Sequence, residues 1–541
     1  MNQTDKGNSI SKGELEAIRD KYRQRRYDEC IREVKSKLKQ SPNSLHLLNY
    51  QAMAYLALKR DKEALLSYQK IVKKDPTLAG PYYNMGIILK RNGRIEEAIS
   101  SYKKALSLKP DYVQVYNNLG VLYKDNREYK DAVKMFTRAK ELQPDHQNSY
   151  YNLGLIKKEQ GLSKEALDLF LKVLDLNPEH NEAKYNISVV KLYNGFLEEA
   201  KQYLQEILES DEKHEGAAKH LAIIALKQER FEEVWKLYEY RWKVSPGNKV
   251  VWPFQDKPLW KGEKGSRVVL WREQGIGDDI IFLSLVSEVK EMCSSLSVFV
   301  DPRLHSLCKR TMPDINFILD ENALKKGVYD YHLPLGSVPG LIRTDIRDFD
   351  RTVTGYLKAD PQRVGSIRKE LDLRGKTVIG ISWRSFKSLN QTKKSIQLRD
   401  MGRIFSGLDV VLVNLQYGDV DDEIREFEEE TGIGVVQCAS VDNREDLDGL
   451  AALIEVCDLV VSITNVTVHL AGALAKETWV LLPYVPNFWW GSDRSDSIWY
   501  PNASLYRQPT LNDWDSVYVS IRTDLQSKLS KKKSSIKRST H

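Results

Sequence analysis

Through the first 240 residues or so, small and apolar positions return every 34 residues. Ala64, Ala98, Ala132, Ala166 and Ala200 form one series, and Gly86, Gly120 and Gly154 form a second that Ser188 continues. Pro42, Pro76, Pro110, Pro144 and Pro178 form a third in the same phase. A glycine or serine on one helix and an alanine on the next let the two approach closely, with Tyr102, Phe136 and Phe170 filling the space between them. Proline then closes each unit, because it cannot continue a helix. From Arg267 onward short β-branched runs alternate with helical stretches: Val268–Trp271, Leu296–Val300, Thr377–Ser382, Val410–Leu415, Leu459–Ile463 and Trp479–Leu482. That alternation predicts βαβ units and a parallel sheet.

The 34-residue series resembles the tetratricopeptide repeat (TPR), a helix–turn–helix unit, over residues 11–243. One unit cannot bury its own apolar face, so stacking makes the core and implies an α-solenoid, a TPR superhelix of about seven units. Cys30 and Val234 replace alanine in the outer units, as capping repeats do. Asn84, Asn118, Asn152 and Asn186 lie two residues before each Gly/Ser site, with Tyr50 and His220 at the flanking positions. A primary amide has both a donor and an acceptor and pairs with peptide backbone without reading sequence. The array resembles the TPR half of the eukaryotic O-GlcNAc transferase, whose asparagine ladder holds protein substrates. The plainer alternative is that these amides bridge adjacent helices.

Residues 244–266 read as an ordered linker containing Trp252 and Trp260. Just before it, Trp235, Tyr238, Tyr240 and Trp242 crowd one helix, which suits a packed joint better than a sugar platform. The α/β part is long enough for two Rossmann-like halves, residues 267–360 and 361–527, with a break near Ala359–Pro361. Ligands in such sheets sit beyond the carboxyl ends of the strands.

Four strand ends carry candidate chemistry. After the first comes Glu273-Gln274-Gly275-Ile276-Gly277-Asp278, a glycine turn with exposed backbone N–H groups. After Thr377–Ser382 come Arg384, Ser385, Lys387, Lys393 and Lys394, cations suited to a leaving phosphate or simply to a solvated loop. Gln416 and Tyr417 follow the next strand and either line a base or ribose or form a plain turn. After Leu459–Ile463 comes Thr464-Asn465-Val466-Thr467-Val468-His469, where a small-residue helix begins and its N-terminus suits phosphate. His469 is a phosphate contact or a buried, satisfied histidine.

The first turn resembles the N-domain loop of bacterial heptosyltransferases, a GT-B family in which a Gly-Asp pair opens the helix and the Asp is the base. That resemblance implies Gly277 and Asp278 here, with Glu273 as the alternative base; the plainer reading of Asp278 is an ordinary helix N-terminal residue that favours the dipole. The loop at 464–469 is similar to the donor-binding helix of the same enzymes, with Thr464 where many carry Asp. Together with the aromatic segment from Pro483 to Arg507, residues 235–520 resemble the transferase domain behind TPR arrays in bacterial proteins, flagellin glycosyltransferases among them. The fold expected is therefore an α-solenoid followed by an α/β GT-B domain. The function expected is transfer of a sugar from a nucleotide-sugar donor to a Ser/Thr hydroxyl of a protein held by the array. A scaffold with a degenerate transferase domain, or a lipid- or polysaccharide-directed transferase, are the alternatives.

Composition narrows this further. The net charge is +7 over 541 residues, and six Lys/Arg from Lys528 to Arg538 read as a disordered basic tail, 528–541. No aromatics interleave with those charges, which argues against nucleic acid. The five cysteines, Cys30, Cys293, Cys308, Cys438 and Cys457, form neither a disulfide framework nor a metal-ligand spacing. No metal or other cofactor is expected. The polar first residues and the lack of a membrane-length apolar run point to the cytoplasm.

Overall fold

A computed structural model describes residues 10–242, 257–351, 353–371, 373, 375–385, 395–484, 486, 488–491, 494–510 and 512–539. It divides into two compact units, 1–190 and 191–541. The division falls inside the helix Asn181–Tyr193, not at the 243/244 boundary expected from the repeat pattern. The last helices of the array thus belong to the compact unit that holds the sheets.

In the first unit, antiparallel helix pairs repeat with the predicted phase. A Cβ added to Gly86, Gly120 or Gly154 would lie 2.4–2.7 Å from the ring of Tyr102, Phe136 or Phe170. Those rings and Ala64, Ala98, Ala132 and Ala166 are fully buried or nearly so. The turn inside each pair uses a left-handed residue at Arg25, Lys59, Gly93, Arg127 and Gly161, and Gly195 and Glu229 continue the series in the second unit. Glycine is absent from four of those seven positions, so the period and not the residue type sets the turn.

The asparagine series is used largely within the array. Asn118 Nδ2 donates to Tyr83 Oη at 3.2 Å, and Asn186 Nδ2 to Tyr151 Oη at 3.2 Å. Asn186 also donates to Glu182 O and accepts from Lys158 Nζ at 2.5 Å. Asn152 donates to Asn148 O of its own helix at 2.9 Å. Asn152 and Asn186 are buried, so the expectation of a continuous acceptor-binding ladder is corrected: these two amides bridge or brace helices. Asn84 and Asn118 remain half-buried.

The second unit holds two parallel sheets. The first has order β3-β2-β1-β4, with β1 Arg267–Trp271, β2 Ser295–Phe299, β3 Asn316–Ile318 and β4 Tyr331–Pro334. The second has order β10-β9-β8-β5-β6-β7: β5 Thr377–Ser382, β6 Val410–Asn414, β7 Val435–Val436, β8 Leu459–Ile463, β9 Thr478–Leu482 and β10 Ala503–Arg507. Each order reverses once, between β1 and β4 and between β5 and β8. The loops beyond those strand pairs are where such sheets open a crevice.

Trp235 and Tyr238 are buried, and Trp235 Nε1 donates to Arg343 O at 2.8 Å, so this helix is a packed joint. Trp260 is buried as well; its backbone N–H donates to His332 O in β4 and its indole N–H to Glu263 O. Trp252 and most of the linker lie outside the described residues. The expectation of a disordered tail is corrected. A helix runs Trp514–Ser539, burying Val517, Ile521 and Leu525 against the second sheet. Lys528 pairs with Glu477 and Lys532 with Asp458, which anchors part of the basic run. Apolar residues one helical turn apart carry the helix into a segment that charge alone marked as solvated.

Candidate active site

The turn after β1 and the helix after β8 meet in the second unit. Gly275 caps the helix Ile276–Leu283, and its carbonyl accepts from the N–H groups of Asp278 and Asp279 at 2.9 and 3.0 Å. Gly277 then faces His469: a Cβ here would lie 2.9 Å from His469 Cδ2. His469 sits in the helix Val466–Ala473, stacked on Trp490 with centroids 5.5 Å apart. Its Nδ1 is 3.1 Å from Tyr500 Oη. Burial lowers the imidazole to about 3, so it is neutral at physiological pH. Asp278 Oδ1 accepts from Trp489 Nε1 at 2.8 Å. Asp278 and His469, each expected at a strand end, thus share one centre with Trp489, Trp490 and Tyr500. Those last three were visible in the sequence only as aromatic density.

Glu273 is placed differently. Its side chain is 2% exposed and paired with Arg241 at 2.9 Å. Burial raises the carboxyl to about 7, with Arg241 pulling the other way. Its carboxylate is occupied by a buried guanidinium, so the expectation of an alternative base is corrected to a structural tie. Asp279 is likewise internal, bonded to Arg272 at 2.8 Å and raised by burial to about 7.

At the β5/β8 switch a chain of side chains ties three strand ends together. Gln416 Oε1 accepts from Ser382 Oγ, Trp383 N and Arg384 N at 2.9, 3.0 and 2.7 Å. Asn465 Nδ2 donates to Ser382 Oγ at 2.7 Å, while its Oδ1 caps Thr467 N at 3.1 Å. Thr467 is fully buried, and its hydroxyl donates to Leu415 O at 3.2 Å. Gln416, Asn465 and Thr467 therefore build the crevice floor; as direct side-chain ligands they are corrected, because burial and bonding take their polar atoms. Arg384 reaches Asp419 O at 2.9 Å and Glu423 at 3.1 Å. Ser385 N donates to Ser395 Oγ at 3.2 Å, and Tyr417 is half-buried beside Gly418, whose φ is +88°. Lys387, Lys393 and Lys394 lie outside the described residues. Thr464 is 5% exposed, and its hydroxyl has no hydrogen-bond partner among the described residues. A buried hydroxyl left unpaired is costly, so it marks a place where a polar ligand atom could bond.

The neutral His469 implies a pH effect with a definite sign. Its folded value lies below the unfolded 6.5, so its contribution is fully present above 6.5 and is lost as pH falls toward 3. Glu273 and Asp279, raised in the fold, act oppositely but are common to wild type and variant. We expect the stability difference between wild type and His469→Gln to shrink by about 1 kcal/mol between pH 8 and pH 6. Urea unfolding at both pH values measures it, and a pH-independent difference would show that His469 is not held neutral.

Tetratricopeptide-repeat models match residues 15–79, 67–100 and 111–179, and a TPR-repeat model matches 88–126. The N-terminal helical array is therefore a TPR solenoid, followed by an α/β region with parallel sheets. Protein FlbA of Caulobacter vibrioides is 27% identical over 318 residues, covering 55% of this chain and 52% of that protein. The chain thus spans about half the length of the curated relative it matches. Solved structures similar to the array include MamA, 24% identical over 32% of this chain and 99% of that one, with TM-score 0.29. YrrB, described as a TPR protein with an unusual peptide-binding site, is 22% identical over 35% of this chain and 97% of its own, with TM-score 0.31. PilW, described as a type IV pilus biogenesis factor, is 19% identical over 40% of this chain and 99% of its own, with TM-score 0.36. No described helix is long and apolar enough to cross a membrane.

Proposed function

We propose that the second unit is a GT-B glycosyltransferase using a nucleotide-sugar donor, and that the TPR array presents a protein acceptor to it. The observation that carries this reading is the meeting of the Gly277-Asp278 turn with the His469 helix. Each stands beyond the carboxyl end of a strand in a different parallel sheet. Such a centre offers a carboxylate to accept a hydroxyl proton and, nearby, a helix N-terminus to hold phosphate. Arg384, beyond the carboxyl end of β5, would face the departing nucleotide. The unpaired Thr464 hydroxyl at the start of that helix is an additional donor-facing group.

The test is thermal stabilisation by a panel of UDP, GDP, CMP and their sugar conjugates. A nucleotide at 100 times its dissociation constant stabilises by about 2.7 kcal/mol, which is easily seen. No shift with any member would remove the donor-binding reading. One observation favours a second reading, a scaffold without chemistry. Thr464 stands where the resembling enzymes carry Asp, and much of the crevice floor is internally bonded. Stabilisation by nucleotides without turnover of any sugar conjugate would select it.

A further inference from the structure

Trp489 lies beyond β9, in the short helix Phe488–Trp490, yet its indole N–H donates to Asp278 on the turn beyond β1. An indole nitrogen can only donate, so the direction of this bond is fixed and Asp278 Oδ1 is the acceptor. The ring is 5% exposed. It is boxed edge-on by Phe282 at 5.3 Å, Trp499 at 5.5 Å and Tyr238 at 6.4 Å. Three aromatic walls leave it little freedom, so the bond holds the carboxylate in one orientation. The same turn is gripped from the last array helix. Gln274 Nε2 donates to Tyr238 Oη at 2.5 Å, Arg241 pairs with Glu273 at 2.9 Å, and the Arg241 guanidinium lies 4.3 Å over the Tyr238 ring.

We infer that Trp489 is a positioning residue for Asp278, and that the array helix ending near Arg241 holds the same turn through Tyr238 and Glu273. This rests on the proposed role of Asp278 as the base. A general base works only when its lone pair points at the proton it takes, and a tethered carboxylate meets that condition before substrate arrives. The array then does more than carry an acceptor: its final helix is a structural part of the catalytic turn. Among the described residues, Trp489, Tyr238, Tyr500 and the neighbouring Asp279 are groups that face Asp278, with His469 across Gly277.

Trp489→Phe in the full chain keeps an aromatic six-membered ring in the box but removes the pyrrole part of the indole and with it the N–H. With the nucleotide sugar that stabilises the chain best, Trp489→Phe should lower kcat about tenfold and leave the donor KM unchanged. The acid limb of its rate profile should move to higher pH, because the lost bond favoured the ionised carboxylate. Unchanged kcat and acid limb in this variant, beside an inactive Asp278→Asn, would show that Trp489 only packs. Full turnover by Asp278→Asn would instead defeat the base reading, and the positioning role with it. Tyr238→Phe probes the array side on its own, whether or not Trp489→Phe folds. A loss of about threefold in kcat is expected, and no loss would overturn that half of the inference.

Discussion

Asp278→Asn should lower turnover by about three orders of magnitude while nucleotide stabilisation stays as in the wild type. The substitution keeps the shape of the side chain and an oxygen that can still accept from Trp489, so the turn should hold its geometry. What it removes is the capacity to take a proton from an attacking hydroxyl. The pattern that matters is therefore a split, with kcat collapsing and donor affinity preserved. Parallel loss of both would mean that the turn had deformed. Retention of kcat within a few-fold of wild type would exclude Asp278 as the base. Glu273 could not then take its place without first leaving Arg241, because its carboxylate is buried in that ion pair. A hydroxyl proton would have to go elsewhere, and the neutral His469 beside Gly277 would be the group to test.

The parts of this molecule legible in its sequence are those that repeat or that punctuate a strand. The glycine, alanine and proline series placed the helix pairs because each answers a packing need that recurs at every unit. The long β-branched runs placed six strands. Asn316–Ile318, Tyr331–Pro334, Val435–Val436 and Ala503–Arg507 escaped, being two to five residues long and poor in contrast with their flanks. Gly277, Asp278 and His469 were singled out because they follow strand ends, and the structure brings them together, but the bonding of their neighbours was not legible. Gln416, Asn465 and Thr467 look like ligands in a sequence, since polar residues at strand ends do. Their true partners are Ser382 and backbone groups of the neighbouring strand-end loops and the helix start, drawn close only by the sheet. The asparagine series fails for the same reason: spacing reveals that four amides share a face, but not that Tyr83 and Tyr151 reach two of them first. Trp489 is the converse case, a residue with no motif whose partner lies 211 positions away.

Gly277 offers the second large effect, because its lack of a side chain is what lets the two strand-end elements touch. A methyl group there would come within 2.9 Å of His469 Cδ2. The imidazole cannot step back freely: Trp490 is stacked on it, and Tyr500 holds its Nδ1. Gly472, in the same helix, is itself pressed against Tyr500, since a Cβ there would meet that ring at 2.4 Å. Strain at Gly277 therefore spreads into the helix after β8 and into the Asp278 turn at once. We expect Gly277→Ala to destabilise the chain by about 1–3 kcal/mol and to cut turnover at least tenfold, although alanine favours the helix more than glycine does. Removing the obstacle should reverse the stability loss. His469→Ala alone leaves a cavity, but in the double variant Gly277→Ala/His469→Ala the new methyl group has space. The double variant should then unfold at higher urea concentration than the sum of the two single changes predicts, by about 1 kcal/mol or more in coupling. Simple additivity of the two changes would show that the turn and the helix do not meet at this point, and the proposed catalytic centre would lose its geometric basis.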